Sequence, residues 1–227
     1  MDFKKFGHTL FTNERDKHSS FEGGAQAACQ HMYESIKDEN GEPAFSLIRI
    51  FRSCTNEELP PEQVSNQMNE RWLALMGTYG YEHNWRDRLK SQGHRVLPTG
   101  AFETPMLSET FRQINLNVDA YIEGDSLVPN FLQETDEHYK YFYVPKASGS
   151  PYIDVQDEFV ERYGIESVVG FGLVLISGAF YVCLSFSRIP ISKQMALNYV
   201  QISPYLSTLL AAYETRGVLW QSRVNDS

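Results

Sequence analysis

Apolar and polar positions in this chain change period several times, and each change marks an element. Ala25, Ala28, Cys29, Met32 and Ile36 recur at three- and four-residue steps, one face of an amphipathic helix. Asp38-Glu-Asn-Gly41 supplies its stop. From Phe45 to Arg52 the period becomes two, with Phe45, Leu47, Arg49 and Phe51 on one side and Ser46, Ile48, Ile50 and Arg52 on the other. Apolar residues on both sides predict a central strand covered on both faces. Leu59-Pro-Pro-Glu62 predicts a helix start, because proline suits a first turn. Val64, Met68, Trp72 and Leu75 form the expected stripe of that helix, and 77–84 reads as a glycine- and tyrosine-bearing loop.

Beyond a basic stretch ending at Val96-Leu-Pro98, Thr104-Pro105 predicts an N-cap and first turn. Leu107, Phe111 and Ile114 supply that helix's apolar face, whereas 117–135 shows no clean period. Tyr139 to Val144 is rich in β formers and predicts a strand. Residues 145–151 form a loop, and Asp154 and Asp157 open a short helix that Gly164 closes. Ser167–Leu175 and Ala179–Ser187 flank Ile176-Ser-Gly178, a hairpin. A long helix starts near Ser192, with Met195, Tyr199, Ile202, Leu206, Leu209 and Tyr213 as its stripe and a bend at Pro204. Leu210, Val218 and Trp220 lie off that stripe and are expected to offer apolar surface for an interface.

This order, ending in an antiparallel pair, argues against a doubly wound parallel sheet. It predicts an α+β fold: an antiparallel sheet with N- and C-terminal helices on one face and loops and short helices covering the other. Residues 1–19 read as an arm or leading helix, 20–217 as one domain and 218–227 as a tail.

Composition narrows the function. Hydrophobic residues make up 42% and aromatic residues 13%, an apolar supply that excludes global disorder. A net charge of -9 excludes a general nucleic-acid surface, and Arg86 to Arg95 is a basic island in an acidic background. No apolar run approaches the roughly 20 residues that cross a bilayer. Met1-Asp-Phe-Lys-Lys-Phe6 lacks the apolar core of a secretory signal, so a cytoplasmic location without membrane contact is expected. The 3 cysteines, Cys29, Cys54 and Cys183, are too scattered for a disulfide framework.

Several blocks together resemble a known family. They are Leu47-Ile-Arg-Ile-Phe51 with Leu59-Pro-Pro-Glu62, Trp85-Arg-Asp-Arg-Leu-Lys-Ser-Gln-Gly-His94, Tyr143-Val-Pro-Lys-Ala-Ser-Gly-Ser-Pro-Tyr-Ile153, Glu158-Phe-Val-Glu-Arg-Tyr-Gly-Ile-Glu-Ser-Val-Val-Gly-Phe-Gly172 and Ser185-Phe-Ser-Arg-Ile-Pro-Ile191. As a set they resemble the GAF-like sensor region found upstream of PAS, histidine-kinase or diguanylate-cyclase modules in bacterial signalling proteins. The resemblance implies a GAF-like fold and a sensory or regulatory role without naming a ligand. Nothing after the last helix reads as an output module, so the chain is expected either to act on a separate signalling partner protein or to be a stand-alone relative with an altered job.

Candidate site residues follow from chemistry. Arg49 falls on an apolar strand face, where a guanidinium must find an internal carboxylate, a solvent rim or an anionic ligand. Trp85, Arg88 and His94 belong to the basic-aromatic segment, readable as a pocket lid or as a solvated loop anchored by Trp85. Tyr152 is expected to pack inward from the 145–153 loop. Phe171 and Tyr181 lie on the hairpin strands, beside Gly170 and Gly172, which leave room for a ligand or for a closely packed helix. The expected ligand-binding set is therefore Arg49, Trp85, Arg88, His94, Tyr152, Phe171 and Tyr181, holding an unknown, anionic small molecule. No recognised metal-ligand spacing and no nucleophile elbow occurs, so no cofactor, metal or catalytic residue is expected. The alternatives are a cysteine-dependent redox enzyme, for which Cys54 is the thiol expected to be exposed, and a ligand-free dimerisation scaffold. The last helix is read as the element of homodimerisation or output.

Overall fold

The computed structural model describes residues 1–60, 63, 71–91, 94–123 and 140–221. Helices α1 (Phe3–Glu14) and α2 (Phe21–Ser35) lead the chain, each opened by a side-chain cap. The Asp2 carboxylate accepts from the Lys4 and Lys5 amides at 3.1 Å, and the Ser20 hydroxyl accepts from the Gly23 amide at 3.1 Å. The long strands are β1 (Phe45–Thr55), β2 (Arg71–Gly80), β5 (Ser167–Val174) and β6 (Phe180–Ser187). Short strands β3 (Val96–Pro98) and β4 (Phe142–Val144) form the edges. All pair antiparallel in one 6-stranded sheet, ordered β3-β2-β1-β6-β5-β4. Helices α3 (Pro105–Gln113) and α4 (Val118–Glu123) precede β4, and α5 (Lys193–Tyr199) and α6 (Ser203–Glu214) end the fold. This is the expected α+β architecture.

The sheet divides the interior into two cores. One lies between the sheet and the terminal helices: Ile48, Ile50, Ala74 and Cys183 of the sheet meet Ala25, Met32, Leu206 and Tyr213 of the helices. The other lies under α3, α4 and the connecting loops, with Leu47, Phe51, Val182 and Phe186 on the sheet side. Along β1 the sides alternate as anticipated from Leu47 onward. A register shift between Phe45 and Leu47 turns Phe45 toward the helices, so Arg49 shares its face with Leu47 and Phe51 but not with Phe45.

The helix expected over 59–75 is overturned at its end, because Trp72 and Leu75 lie on β2. Val64 and Met68 fall outside the described residues. Trp72 to Met76 is an unbroken apolar run buried on both faces, and such a run fits a helical stripe as readily as a central strand. The loop expected over 77–84 starts only at Tyr81, since Gly77 to Gly80 continue the ladder opposite Ile50 to Leu47. Gly77 is needed there. A Cβ on it would lie 2.5 Å from the Ala25 backbone, so α2 rests directly on the strand.

The leading segment is helical and buries Phe6 and Leu10, and the Tyr213 hydroxyl donates to the Glu14 carbonyl oxygen, tying α6 to α1. The expected bend at Pro204 is present as a 3-10 turn over Val200–Ile202 between α5 and α6. Of the predicted stripe, Tyr199, Ile202, Leu206, Leu209 and Tyr213 are buried while Met195 is exposed. The surface expected of Leu210 and Trp220 is corrected. Leu210 is in the core, and Trp220 folds back with its indole N–H donating to the Glu58 carbonyl oxygen at 2.7 Å. Val218 alone of the three is exposed. Among the described residues no helix is long and apolar enough to cross a membrane.

Candidate functional site

A cavity of about 690 Å³ opens between the loop-side face of the sheet and its covering segments. Its floor is Arg49 and Phe51 from β1 with Leu184 and Phe186 from β6. One wall comes from the segment after β2, whose 3-10 turns His83–Arg86 and Arg88–Lys90 supply Trp85 and the exposed Lys90 and lead into the buried Ser91. Another wall is the start of α3, through Thr104, Met106 and Leu107. The Thr104 hydroxyl donates to the Ala101 carbonyl oxygen at 2.7 Å and leaves the first turn of α3 without a side-chain cap. The roof is Tyr152 to Val155 with Phe159, whose π-helical turn (Gln156–Glu161) is shaped by Gly164 at φ 59°. The volume lies within the roughly 300–1,000 Å³ range of small-molecule sites.

Arg49 is the charged group of the floor. One terminal nitrogen donates to the Ser91 hydroxyl at 3.1 Å, while its buried Nε has no hydrogen-bond partner. Among the described residues no carboxylate pairs with it. Burial without a compensating anion pulls its pKa down to about 10, so it stays charged at neutral pH but at a cost. A half-buried guanidinium with its Nε buried and no carboxylate beside it is suited to receive an anion.

Aromatic rings continue from that charge. Trp85 leans on Tyr163 with centroids 4.4 Å apart and meets Phe159 edge-on at 5.9 Å. Phe159 in turn meets Phe186 edge-on at 5.1 Å. Trp85, Phe159 and Phe186 all line the cavity.

Of the residues anticipated from sequence, Arg49, Trp85, His94 and Tyr152 come together here, His94 on the exposed rim. Arg88, Phe171 and Tyr181 do not. Arg88 is buried elsewhere, its Nε donating to Glu22 at 2.6 Å and its guanidinium 4.6 Å over the Trp220 ring. Phe171 and Tyr181 project from the opposite side of the sheet, because strand alternation sends them toward the helices. Phe171 meets Tyr199 at 5.8 Å, and the Tyr181 hydroxyl lies 2.7 Å from that of Ser207. Gly170 and Gly172 leave no free space: a Cβ on Gly170 would lie 2.7 Å from a Leu184 methyl, and one on Gly172 3.2 Å from Ile114. Ser91, Phe159, Leu184 and Phe186 were missed. Leu184 and Phe186 were readable from alternation against Tyr181 and Cys183, whereas Ser91 reaches Arg49 across a fold contact that carries no local pattern.

The exposure expected of Cys54 is corrected as well. It is 1% exposed, and burial pushes its thiol up to about 12, as it does that of Cys183. Cys29 is buried and shifted the same way, first by burial and then by Cys183. Thiolates, the reactive form, are therefore disfavoured at all of them. Among the described residues no group of three or more His, Cys, Asp or Glu could hold a metal ion.

No protein-family model matches the chain, and no curated protein sequence matches it. Solved structures do. The chain is similar to the GAF domain of a phosphoenolpyruvate-protein phosphotransferase from Coxiella burnetii, with a TM-score of 0.55 and 12% identity over 96% of this chain and 97% of that one. It is similar to the phycoerythrobilin-bound GAF domain of a cyanobacterial phytochrome, with a TM-score of 0.51 and 10% identity over 96% and 98% of the two chains. A third similar structure is free methionine-R-sulfoxide reductase from Neisseria meningitidis in complex with its substrate, with a TM-score of 0.50 and 9% identity over 94% and 90%. At such identities the likeness is one of fold, and the fold is GAF-like.

Proposed function

We propose that this chain is a non-enzymatic sensor domain of bacterial signal transduction that binds a small anionic molecule in the cavity over Arg49. The observation that carries the reading is the guanidinium itself: it lines a cavity of ligand size, has no carboxylate partner among the described residues and keeps a buried Nε without an acceptor. An anion there supplies the missing acceptors by charge-assisted hydrogen bonds. Similar folds that hold a bilin or a substrate add support for a binding role. Burial of Cys29, Cys54 and Cys183 weighs toward binding and away from thiol chemistry.

Signalling follows as a population shift. Arg49 holds Ser91, and Ser91 follows directly on the turn bearing Arg88. Arg88 grips Glu22 at the start of α2 and lies against Trp220 in the C-terminal segment. A ligand that draws Arg49 away from Ser91 loosens this chain of contacts and frees the C-terminal segment to act on a partner protein or on a second copy in a homodimer.

Native mass spectrometry of gently purified protein tests the reading and reports the oligomer together. The expected spectrum carries a retained small mass that Arg49→Met loses. Wild-type protein that is bare from every host and unshifted by any added anion would instead favour a ligand-free scaffold.

A further inference from the structure

Resting on the receptor reading, we infer that the ligand is a monocarboxylate with a flat, apolar, two-ring-sized body, and not a phosphate ester or a small dicarboxylate. Charge counting limits the head group. Arg49 is half-buried with its Nε fully buried, the one cation among the described lining residues drawn off the surface, while Lys90 and His94 sit exposed on the rim, where water screens them. One such positive charge neutralises one negative charge. A second would enter the cavity unpaired and undo much of what the first gains. Asp154, the carboxylate of the roof, adds repulsion against another anionic group beyond the first.

The lining sets the body. Away from Arg49 and Ser91, the apolar part of the surface is given by Phe51, Trp85, Leu97, Met106, Phe159 and Phe186, with Asn84, Thr104 and Tyr152 adding polar atoms. The edge-to-face row of Trp85, Phe159 and Phe186 presents ring faces and edges that suit another aromatic system, and Met106 adapts to its outline. A phosphate cradle is built from converging backbone amides on a glycine-rich loop or from a cluster of arginines, and Arg49 is the one arginine among the described lining residues. Among the described lining residues there is no glycine. A small dicarboxylate would leave the apolar walls facing trapped water.

Isothermal titration calorimetry on the full chain separates these classes with one matched series: 2-naphthylacetate, its neutral amide, 2-naphthyl phosphate and succinate. The expected result is that 2-naphthylacetate binds at least tenfold more tightly than each of the others. Arg49→Met should abolish that preference over the amide, and Arg49→Lys should keep part of it, with circular dichroism confirming that both variants fold. Equal binding of acid and amide overturns the anchoring role of Arg49. Tighter binding of the phosphate or succinate overturns the ligand class and leaves the receptor reading intact. If no probe binds, native mass spectrometry divides the cases: a retained mass of another class sinks only this inference, and bare protein sinks the receptor reading too.

Discussion

Arg49 and Arg52 lie on the same strand and face opposite layers, and the protein treats them in opposite ways. On the helical side, Arg52 is fully used. Its Nη2 donates to Glu214 at 2.9 Å and to Glu58 at 3.0 Å, its Nη1 donates to the Ser53 carbonyl oxygen at 2.9 Å, and it lies over the Phe21 ring at 5.6 Å. Burial alone would lower its pKa, but Cys54 and then the carboxylates of Glu58 and Glu214 outweigh that and raise it. On the loop side, Arg49 has a serine and an empty Nε, and its pKa falls. A tied guanidinium holds a fold together. An untied one, kept next to open space, is a cost retained for something else.

The sharpest way to break this contrast is to remove the tied partner. Arg52→Met leaves Glu214, whose side chain is 11% exposed, without its cation, and such a loss costs about 3 kcal/mol or more. Urea unfolding checks it, and adding Glu214→Gln should recover part of the loss. A cost below about 1 kcal/mol would mean that Arg52 is no more structural than Arg49.

The strand under α2 and the exposed turn before α3 differ in how much they can yield. Gly77→Ala pushes a methyl into the Ala25 backbone on the helical side, an overpacking worth roughly 1–3 kcal/mol. Gly100→Ala, beside α3 on the loop side, meets nothing within 4 Å and should change stability by no more than about 0.5 kcal/mol. Paired thermal melts compare the two directly. Similar losses at both sites would deny that the close approach of α2 is what makes Gly77 necessary.

The buried thiols give the next smaller effect. Cys54 and Cys183 have folded pKa values near 12 against 9.0 when exposed. Their protons are kept by the folded state and lost by the unfolded one between those values, so each contributes stability that is whole below pH 9 and drains as pH rises toward 12. Cys54→Ala should flatten that alkaline decline, read by urea midpoints from pH 8 to 11. At pH 8 a thiol reagent should leave native protein unlabelled. Rapid labelling of one cysteine would revive the redox alternative.

The fold was readable because it rests on local signals. The Ala25–Ile36 stripe, the Ile176-Ser-Gly178 turn and the alternation from Leu47 to Arg52 each state their element without help from distant residues. Misreadings fell where pattern and context part. Trp72–Met76 is apolar at every step, so a period says nothing, and only pairing with β1 makes it a strand. The site was half readable for the same reason. Alternation placed Arg49 on an apolar face, but charge could not tell Arg88, which meets Glu22 across 66 residues of sequence, from a ligand anchor. Trp220 looked exposed by position and is held by the Glu58 carbonyl, a contact no local rule contains.

The smallest expected effect on stability is the most telling. Arg49→Met removes a hydrogen bond to Ser91, worth about 1 kcal/mol in a typical case. It also removes a half-buried charge whose buried Nε makes no hydrogen bond and replaces it with an apolar chain that suits Phe51 and Leu184. These terms oppose each other and are of similar size, so the melting temperature of the empty protein should move little, in either direction. Binding should fall at least tenfold over the same substitution. That split, stability kept and affinity lost, is what separates a residue held for a ligand from one held for the fold. If Arg49→Met instead unfolds as readily as Arg52→Met, the two arginines share one structural task and the cavity above β1 has no claim to an anion.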